Sequence, residues 1–249
     1  MRQKNKMEKS FESKYHQLEE NHWWFMARRN IIISFVKIFP KNIEILDIGC
    51  SGGALIKQLS NEGYFKCTGI DVSKKAINLA KSRGIENCYL MDGGKVKFKK
   101  KFDLIIASDV LEHIKNDKKA VQFWKNSLKK NGRIICFVPA FKFLWSKHDV
   151  ANQHYRRYSN LMLASLFLSE NMKIDRISYW NFFLFFPISF IRVIQERIIK
   201  NKKSRHHLKE SNRVANSILY NLLIIENSIL KQFNLPVGVS LFLIARNIN

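Results

Sequence analysis

The middle of the chain alternates short apolar runs with longer amphipathic segments. Five runs have the length and β-branched content of buried strands: EILDIG (44–49), CTGIDVS (67–73), NCYLMD (87–92), FDLIIASDV (102–110) and RIICFVPA (133–140). The segments between them are about ten residues long and suit amphipathic helices, with Gly63, Gly84 and Gly132 placed as helix stops. Strands that alternate with helices predict βαβ units, and therefore a parallel, doubly wound α/β sheet.

Two further strands are predicted, at KIDRISYW (173–180) and VSLFLIARN (239–247). Ser159 is placed to cap a helix that runs to Asn171. The segment 10–39 suits a helix packed against the sheet or over its open end. The sequence thus predicts three parts. They are an N-terminal helical cap (1–40), a sheet domain (41–180 with 239–249), and a hydrophobic and basic helical insertion before the last strand (181–238).

The composition is that of a chain with a large core. Its 249 residues are 46% hydrophobic, and this length suits one α/β domain with an appendage. The four cysteines form no CxxC pair, so we expect neither a disulfide framework nor a metal site, and a reducing cytoplasm fits. These cysteines are Cys50, Cys67, Cys88 and Cys136.

No export signal and no membrane span is predicted. The N-terminal segment is basic and then polar, without the apolar core of a secretory signal. The longest uncharged stretch, 177–191, has fifteen residues. A bilayer span needs roughly twenty, so this stretch is too short.

The segment 179–209 is dense in Phe and Ile and then becomes basic, and eight Lys or Arg lie between positions 192 and 213. Aromatic bulk beside a basic run is typical of a helix in the interface of an anionic membrane. Peripheral attachment to the inner face of the membrane is therefore one interpretation. The other is a hydrophobic hairpin buried on the core or in a dimer interface and followed by a basic loop.

The chain carries 43 Lys and Arg against 20 Asp and Glu, a formal charge of +23. This excess is larger than solubility requires, so a polyanion or an anionic membrane surface is a candidate partner. An AT-rich genome, whose codons favour Lys, Asn and Ile, would produce the same excess. The charge alone does not choose between these explanations.

A glycine-containing loop, LDIGCSGG (46–53), follows the first predicted strand. Gly49 allows a sharp turn that aims backbone N–H groups at a ligand, and Gly53 lets the next helix start close to the sheet. A dinucleotide loop would have the pattern GxGxxG. Here the order is Gly49, Ser51, Gly53, with Asp47 upstream, and this spacing favours a different nucleoside.

Acidic residues close the next two strands. Asp71 follows Gly49 by twenty-two positions, where a carboxylate can accept from both hydroxyls of a ribose. Asp92 ends the third strand, where a carboxylate can accept from the exocyclic amine of a purine. Either aspartate alone would be expected to be a solvated loop residue. Three acidic strand ends in order predict a nucleoside site.

With these motifs the sequence resembles the class I S-adenosylmethionine-dependent methyltransferases, in particular the group with an LDIGCGxG loop and a DVLEH-type fourth strand. The resemblance covers 43–139, including FDLIIASDVLEHI (102–114) and LKKNGRIICFVP (128–139). It implies a seven-stranded, mainly parallel Rossmann-like methyltransferase fold and S-adenosylmethionine as cofactor. One position departs from the family, because Ser51 stands where a glycine is usual, and its Cβ would crowd the backbone beside the ligand.

The resemblance also implies where the cofactor lies. The methionine end falls to the glycine loop with Asp47, the ribose to Asp71, the adenine to Asp92, and the donor methyl to the end of the fourth strand. The residues assigned to the cofactor are Asp47, Gly49, Cys50, Ser51, Gly53, Asp71, Val72, Asp92, Gly93, Ser108 and Asp109.

Methyl transfer from a sulfonium needs few catalytic groups, because the protein has chiefly to align a nucleophile and, for a hydroxyl, to remove a proton. Candidates for the base are His113 in LEH and a second group in WSKHDVANQHYRRYS, namely His148, Asp149 and His154. A structural role is the alternative for each histidine.

The same WSKHDVANQHYRRYS stretch follows the fifth strand, at the edge where open α/β sheets bind ligands. Its paired arginines suit a phosphate or carboxylate, and the alternative is a solvated loop in which Arg157 pairs with a helix-start carboxylate. Together with ENHWWFMARRN (20–30), it resembles a methyltransferase subgroup found with surface-polysaccharide and lipid-linked glycan synthesis. That resemblance assigns to the acceptor Trp23, Trp24, Arg28, Trp145, Arg156, Arg157 and Tyr158.

The sequence therefore predicts methyl transfer to an oxygen of a glycan, a lipid-linked intermediate or another small anionic acceptor. Nucleic acid is a second acceptor class, supported by charge; but SDVL (108–111) stands in place of a DPPY-like motif, and Ala140 follows Pro139 where a Pro-Cys nucleophile would be. An NAD-dependent oxidoreductase is disfavoured by the glycine spacing and by Ser159 in place of the Lys of a Tyr-xxx-Lys pair. A non-catalytic membrane module that retained the fold is the remaining alternative.

Overall fold

The computed structural model describes residues 18–198 and 212–248. A mixed sheet lies between two layers of helices. The strands are β1 (Ile45–Ile48), β2 (Cys67–Asp71), β3 (Cys88–Leu90), β4 (Phe102–Ser108), β5 (Leu128–Pro139), β6 (Met172–Trp180) and β7 (Ser240–Asn247). The helices are α1 (Trp23–Val36), α2 (Ala54–Asn61), α3 (Lys74–Ser82), α4 (Asp117–Asn126), α5 (Lys147–Ala151), α6 (Asn160–Leu168), α7 (Phe185–Ile198) and α8 (Arg213–Leu230).

The seven strands pair in the order β3-β2-β1-β4-β5-β7-β6. The first five are parallel, while β7 runs antiparallel to both β5 and β6. The predicted seven-stranded, mainly parallel architecture is confirmed. The chain leaves β1 in opposite directions toward β2 and β4, so a crevice opens at the carboxyl ends of β1 and β4, where such sheets bind ligands.

Alternate residues of the central strands supply the two cores, because successive side chains point to opposite faces. Ile45 and Leu104 pack into one cluster with α1, α2, α3 and α8. Leu46 and Ile105 pack into the other with α4 and α6. Burial on both faces explains why the central strands are almost continuously apolar.

The N-terminal cap and the insertion pack on each other and on the sheet. Asn227 of α8 accepts a hydrogen bond from Trp180 Nε1 at 2.8 Å and donates one to the carbonyl of Ala27 in α1 at 2.9 Å. Nearby, the buried Glu226 carboxylate accepts from the amides of Asn181, Phe182 and Phe183, just before α7. These polar contacts fix the insertion against β6 and α1.

Two of the three predicted helix stops are confirmed. Gly63 and Gly84 adopt φ values of +88° and +81° after α2 and α3, a conformation that glycine enters without steric cost. Gly132 is not a helix stop. The helix α4 has already ended at Asn126, and Gly132 lies inside β5.

The described part of the insertion contains the two helices α7 and α8. The helix α6 ends at Leu168, earlier than predicted. Most of the basic run between positions 192 and 213 lies outside the described residues, because 199–211 are not described. Within the described ranges, no helix is both long enough and apolar enough for a bilayer span.

Candidate active site

The loop after β1 has no room for side chains at its two ends. Gly49 and Gly53 have φ values of +74° and +79°. A Cβ on Gly49 would lie 2.5 Å from Val110, and one on Gly53 would lie 2.3 Å from Ile85. Since real Cβ atoms do not approach so closely, both glycines are required by the turn. The Cys50 amide between them donates to the Ile70 carbonyl at 3.0 Å and ties the loop to β2.

Ser51 is the departure from the expected glycine, and it adopts a left-handed φ of +48°. Its amide donates to Asp71 Oδ2 at 3.0 Å, and its hydroxyl donates to Glu19 Oε2 at 2.9 Å. Glu19 also accepts from the Gly52 amide at 3.4 Å. The serine therefore links the glycine loop to the residues before α1. A glycine has no hydroxyl and could not make this contact.

Asp71 orients the ends of two loops. One carboxylate oxygen accepts from the Ser51 amide, and the other accepts from the Ser73 amide at 2.8 Å. The carboxylate thus stands at the end of β2, where a bidentate contact to two ribose hydroxyls is predicted. Val72, next in the chain, is 70% exposed and offers an apolar surface beside that position.

Asp47 and Asp92 lie at the neighbouring strand ends. Asp47 is buried, and its pKa is raised well above the usual value by that burial and by the nearby Cys88, Glu19 and Asp71. Asp92 accepts from the Gly94 amide at 2.8 Å and caps the short turn Gly93–Lys95. The three predicted acidic strand ends thus close the same edge of three adjacent parallel strands.

Two other predicted cofactor residues, Cys50 and Gly93, have no polar side chain at the crevice. The Cys50 thiol is buried, and its hydrogen bond to Cys88 and its burial raise its pKa, so it points away from the crevice. Gly93 sits where a Cβ would lie 2.7 Å from Ile48. Neither residue offers a polar side chain to a ligand.

At the end of β4, Asp109 adopts a φ of +58° and is held by Arg28. The guanidinium donates to Asp109 Oδ2 at 2.9 Å, to Ser108 Oγ at 3.2 Å and to Ser240 Oγ at 2.9 Å. Charge-assisted hydrogen bonds from a planar fork fix direction as well as distance. The fork therefore anchors the residue predicted to border the donor methyl.

Aromatic rings enclose the same guanidinium. The Arg28 Cζ atom lies 4.6 Å from the ring centre of Trp24, 4.2 Å from that of Phe137 and 4.3 Å from that of Trp180. Arg28 is only 3% exposed, and its contact with an acceptor stays a prediction. Its position makes it a support for Asp109.

Trp24 is half-buried over Arg28, and its neighbour Trp23 donates its amide to Asn216 of α8. The HWWF stretch therefore links α1, β6 and α8. Trp145 is also half-buried and follows the short turn Lys142–Leu144 after β5. A role for these tryptophans at the acceptor stays a prediction.

A buried acid lies behind the loop that follows β5. Asp149 is 0% exposed; its Oδ1 lies 2.9 Å from His154 Nδ1 and accepts from Arg157 Nε at 2.8 Å. Burial alone would raise the Asp149 pKa, but the hydrogen bond to His154 and the charge of Arg157 outweigh it and hold the pKa low. Asp149 also lies in the first turn of α5. The alternative in which Arg157 pairs with a helix-start carboxylate is therefore correct, although the pair is buried.

The remaining HYRRY residues serve the fold. Tyr158 is 0% exposed and donates to Asp117 Oδ2 at 3.0 Å, and burial with this acidic neighbour raises its pKa. Arg156 binds the same carboxylate and the Lys115 carbonyl. The side chains of Tyr158 and Arg157 are both enclosed, and their contacts with an acceptor stay predictions. The guanidinium of Arg156 is engaged by Asp117.

The structure also brings together histidines that are distant in sequence. The rings of His113 and His154 meet edge to face with centres 4.6 Å apart, while the His148 ring lies 6.5 Å from that of His154. His148 is exposed, and its Nε2 contacts Asn152 at 3.0 Å. Of the predicted base candidates, His113, Asp149 and His154 form one contact group, and His148 lies at its rim.

Two carboxylates in this region were not predicted. Glu112 is 1% exposed, and burial and the nearby Asp109 raise its pKa well above the usual value. Its place beside His113 in the LEH motif was a signal that could have been used. Glu19 reaches the glycine loop from outside the matched motifs, and nothing local in the sequence marks it.

The residues at the crevice suit S-adenosylmethionine by their chemistry. Gly49 and Gly53 allow a tight turn of the backbone, the Asp71 carboxylate stands where the ribose is predicted, and the exposed Val72 lies beside it. The acidic edge of Asp47, Asp71 and Asp109 suits a ligand that carries a sulfonium and an ammonium group.

Comparisons with known proteins also indicate a methyltransferase domain. Residues 46–136 match the family model of a methyltransferase domain. The ubiquinone biosynthesis O-methyltransferase of Pelagibacter ubique is 38% identical over 103 residues, which cover 39% of this chain and 42% of that protein. The chain thus matches less than half of this relative's length.

Two solved structures share the fold. A methyltransferase from Archaeoglobus fulgidus that depends on S-adenosylmethionine aligns with a TM-score of 0.57 and 16% identity, covering 93% of this chain and 99% of that one. Phosphoethanolamine N-methyltransferase 2 of Haemonchus contortus, in complex with S-adenosylmethionine, aligns with a TM-score of 0.59 and 16% identity, covering 88% and 52%. By the family match of residues 46–136 and by its fold, the chain contains a methyltransferase domain of the class I S-adenosylmethionine-dependent kind.

Proposed function

We propose that the chain transfers a methyl group from S-adenosylmethionine to an oxygen of a glycan, a lipid-linked intermediate or another small anionic acceptor. The observation that carries this proposal is the position of Asp109. It lies just after β4 and shortly before the turn that carries Glu112 and His113, which meet His154 from a later loop. The O-methyltransferase named among the relatives supports oxygen as the acceptor atom.

When bound, S-adenosylmethionine supplies a methyl group whose bond to sulfur breaks as the new bond to oxygen forms, leaving neutral S-adenosylhomocysteine. The residues of the chain align the two partners. Asp71 and the glycine loop fix the nucleoside, and Arg28 fixes Asp109 beside the methyl end. Such alignment is the main rate contribution available to a reaction whose donor is already activated.

A hydroxyl acceptor must also lose its proton, whereas a carboxylate need not. His154 is suited to this task because Asp149 engages its Nδ1, which leaves Nε2 as the atom that can accept a proton. His113 stands against the same ring. A base is needed for a hydroxyl acceptor but not for a carboxylate. The group of Glu112, His113 and His154 therefore favours a hydroxyl acceptor.

Methyl transfer itself is the test of the proposed activity. The purified chain, given methyl-labelled S-adenosylmethionine with separate glycan, lipid and RNA extracts, is expected to label a glycan or lipid fraction as a methyl ether or ester. The matched control is the Asp71→Asn variant, which should label none of the extracts. Label in RNA alone would contradict the proposal, and cofactor binding without label in any extract would favour a non-catalytic module.

A location at a membrane surface would suit a lipid-linked acceptor. In α7, Phe186 is 58% exposed and Phe190 is 68% exposed, and the sequence that follows is strongly basic. Apolar rings beside cations suit the interface of an anionic bilayer. We therefore propose that the chain attaches peripherally to an anionic membrane surface.

The full chain is expected to sediment with phosphatidylglycerol vesicles but not with phosphatidylcholine vesicles. Replacing both Phe186 and Phe190 by Ser should weaken this partitioning about 100-fold, since each ring contributes about 1.5 kcal/mol when it leaves water. Phe65→Ser is the control, because Phe65 is 75% exposed and precedes β2, which lies far from β6 in the strand order. If the double variant instead abolishes dimer formation and leaves vesicle binding unchanged, the buried-interface alternative holds.

A further inference from the structure

Three side chains of metal-binding type meet beside the end of β4. Glu112 and His113 lie on the turn Leu111–His113, and His154 comes from the loop between α5 and α6. One carboxylate oxygen and one ring nitrogen from each histidine all lie within 4.8 Å of one another. The two segments are held together by the Tyr155 amide, which donates to the Glu112 carbonyl at 2.8 Å. The contact is therefore part of the backbone architecture.

Each histidine has one ring nitrogen engaged on its outer side. His154 Nδ1 lies 2.9 Å from Asp149 Oδ1, and His113 is hydrogen-bonded to the backbone carbonyl of Asn152. Metal-binding histidines almost always donate their second N–H to a carboxylate or a backbone carbonyl, which fixes the tautomer and the ring orientation. Both rings thus keep the other nitrogen lone pair for a ligand.

The Asp149 carboxylate, which engages His154, is itself held by hydrogen bonds. Asp149 accepts from Arg157 Nε at 2.8 Å and from the Ser146 amide at 2.8 Å. These donors outweigh its burial and keep it a charged acceptor for His154. A rigid, charged partner of this kind strengthens the histidine as a metal ligand.

The third candidate ligand has a buried oxygen with no partner. Glu112 is 1% exposed, and its Oε2 accepts no hydrogen bond from any residue that the structure describes. Leaving a carboxylate oxygen buried without a donor is unfavourable. A cation shared with the two imidazoles would compensate for the missing donor.

We propose that Glu112, His113 and His154 bind a divalent transition-metal ion, with Asp149 supporting His154 from the outer side. Two imidazoles and one carboxylate form a ligand set that takes Zn²⁺, Mn²⁺, Fe²⁺ or Co²⁺ and leaves coordination positions open. Bonds of about 2.0–2.2 Å require the ligand atoms to lie within about 4.4 Å of one another. Small side-chain rotations would therefore close the site. The sequence predicts no metal, because its ligands are brought together only by the fold.

The place of the site suggests its use, and this step rests on the proposed function. Glu112 follows Asp109 closely in the chain, so the ion would lie on the acceptor side of the crevice. An ion with open positions can bind an acceptor oxygen and lower the pKa of its hydroxyl. The proton could then leave at neutral pH to solvent, and His154 would serve as a ligand in place of a free base.

Metal binding can be measured without cofactor or acceptor. The full chain, freed of metal by a chelator, is expected to bind one Zn²⁺ or Co²⁺ per chain in calorimetry, and bound Co²⁺ should acquire the intense visible absorption of a site with nitrogen ligands. His154→Gln and Glu112→Gln should each weaken binding at least 100-fold. Asp149→Asn should weaken it about 10–100-fold, as expected for an outer partner.

His148→Gln is the matched control, because this histidine lies at the rim of the same loop but outside the ligand set. It should bind the ion as the unmodified chain does. The site is refuted if the unmodified chain binds no stoichiometric ion, or if His148→Gln weakens binding as much as His154→Gln does. S-adenosylmethionine affinity and thermal unfolding report whether each variant is folded. If His154→Gln and Glu112→Gln do not fold, the Co²⁺ spectrum of the unmodified chain decides whether the metal site exists.

The metal site and the proposed function can fail separately. Stoichiometric metal binding without any methyl transfer would keep the site and refute its catalytic role. Methyl transfer that persists unchanged after the ion has been removed would also refute that role, and would leave His154 as the base.

Discussion

Asp71→Asn is expected to weaken S-adenosylmethionine binding by about 100-fold. The carboxylate accepts from the Ser51 and Ser73 amides at 3.0 and 2.8 Å, and it is the acceptor predicted for the ribose. An asparagine keeps one oxygen but turns an NH₂ group toward a backbone N–H. Losing two hydrogen bonds to a charged group costs about 3 kcal/mol, which corresponds to about 100-fold in affinity.

Calorimetry with the full chain measures this effect. The matched control is Asp175→Asn on β6, where the carboxylate pairs with Arg133 and Arg246 away from the crevice. It should leave the affinity unchanged. Equal affinities for Asp71→Asn and the unmodified chain, with both folded, would remove Asp71 from the cofactor site.

Arg28→Lys is expected to lower the free energy of unfolding by about 3 kcal/mol, because a buried ion pair and its hydrogen bonds are broken. Lysine has a single nitrogen and cannot reach Ser108, Asp109 and Ser240 together as the guanidinium fork does. It also loses the flat stacking surface that lies between Phe137 and Trp180. The rate of methyl transfer should fall as well, because Asp109 loses the hydrogen bond that holds it in place.

Urea unfolding of Arg28→Lys, Asp109→Asn and the double variant tests this coupling, because partners in one buried pair give non-additive effects. Arg133→Lys serves as control. Arg133 pairs with Asp175 at the surface, where ion pairs contribute only about 0–1 kcal/mol. Additive losses for Arg28 and Asp109 would show that the pair does not act as a unit.

The strands and the nucleoside edge could be predicted because their signals are local. A buried parallel strand needs an apolar run, and a crevice at the carboxyl end of β1 needs a glycine turn such as that at Gly49. Asp71 and Asp92 follow from the same rule, since parallel strands end at one edge of the sheet. The error at Gly132 has a local cause as well, because a glycine can equally lie within an irregular strand.

The chain's sequence by itself determined the order of strands and helices, the three acidic strand ends and the methyltransferase family. Only the tertiary structure decided that Arg28 supports Asp109, that Arg157 and Tyr158 are enclosed, and that His154 meets His113 and Glu112. Secondary structure and strand ends depend on periodicity and turn chemistry within a short window. Pairing between distant side chains depends on which loops the sheet order brings together, and no local pattern encodes it.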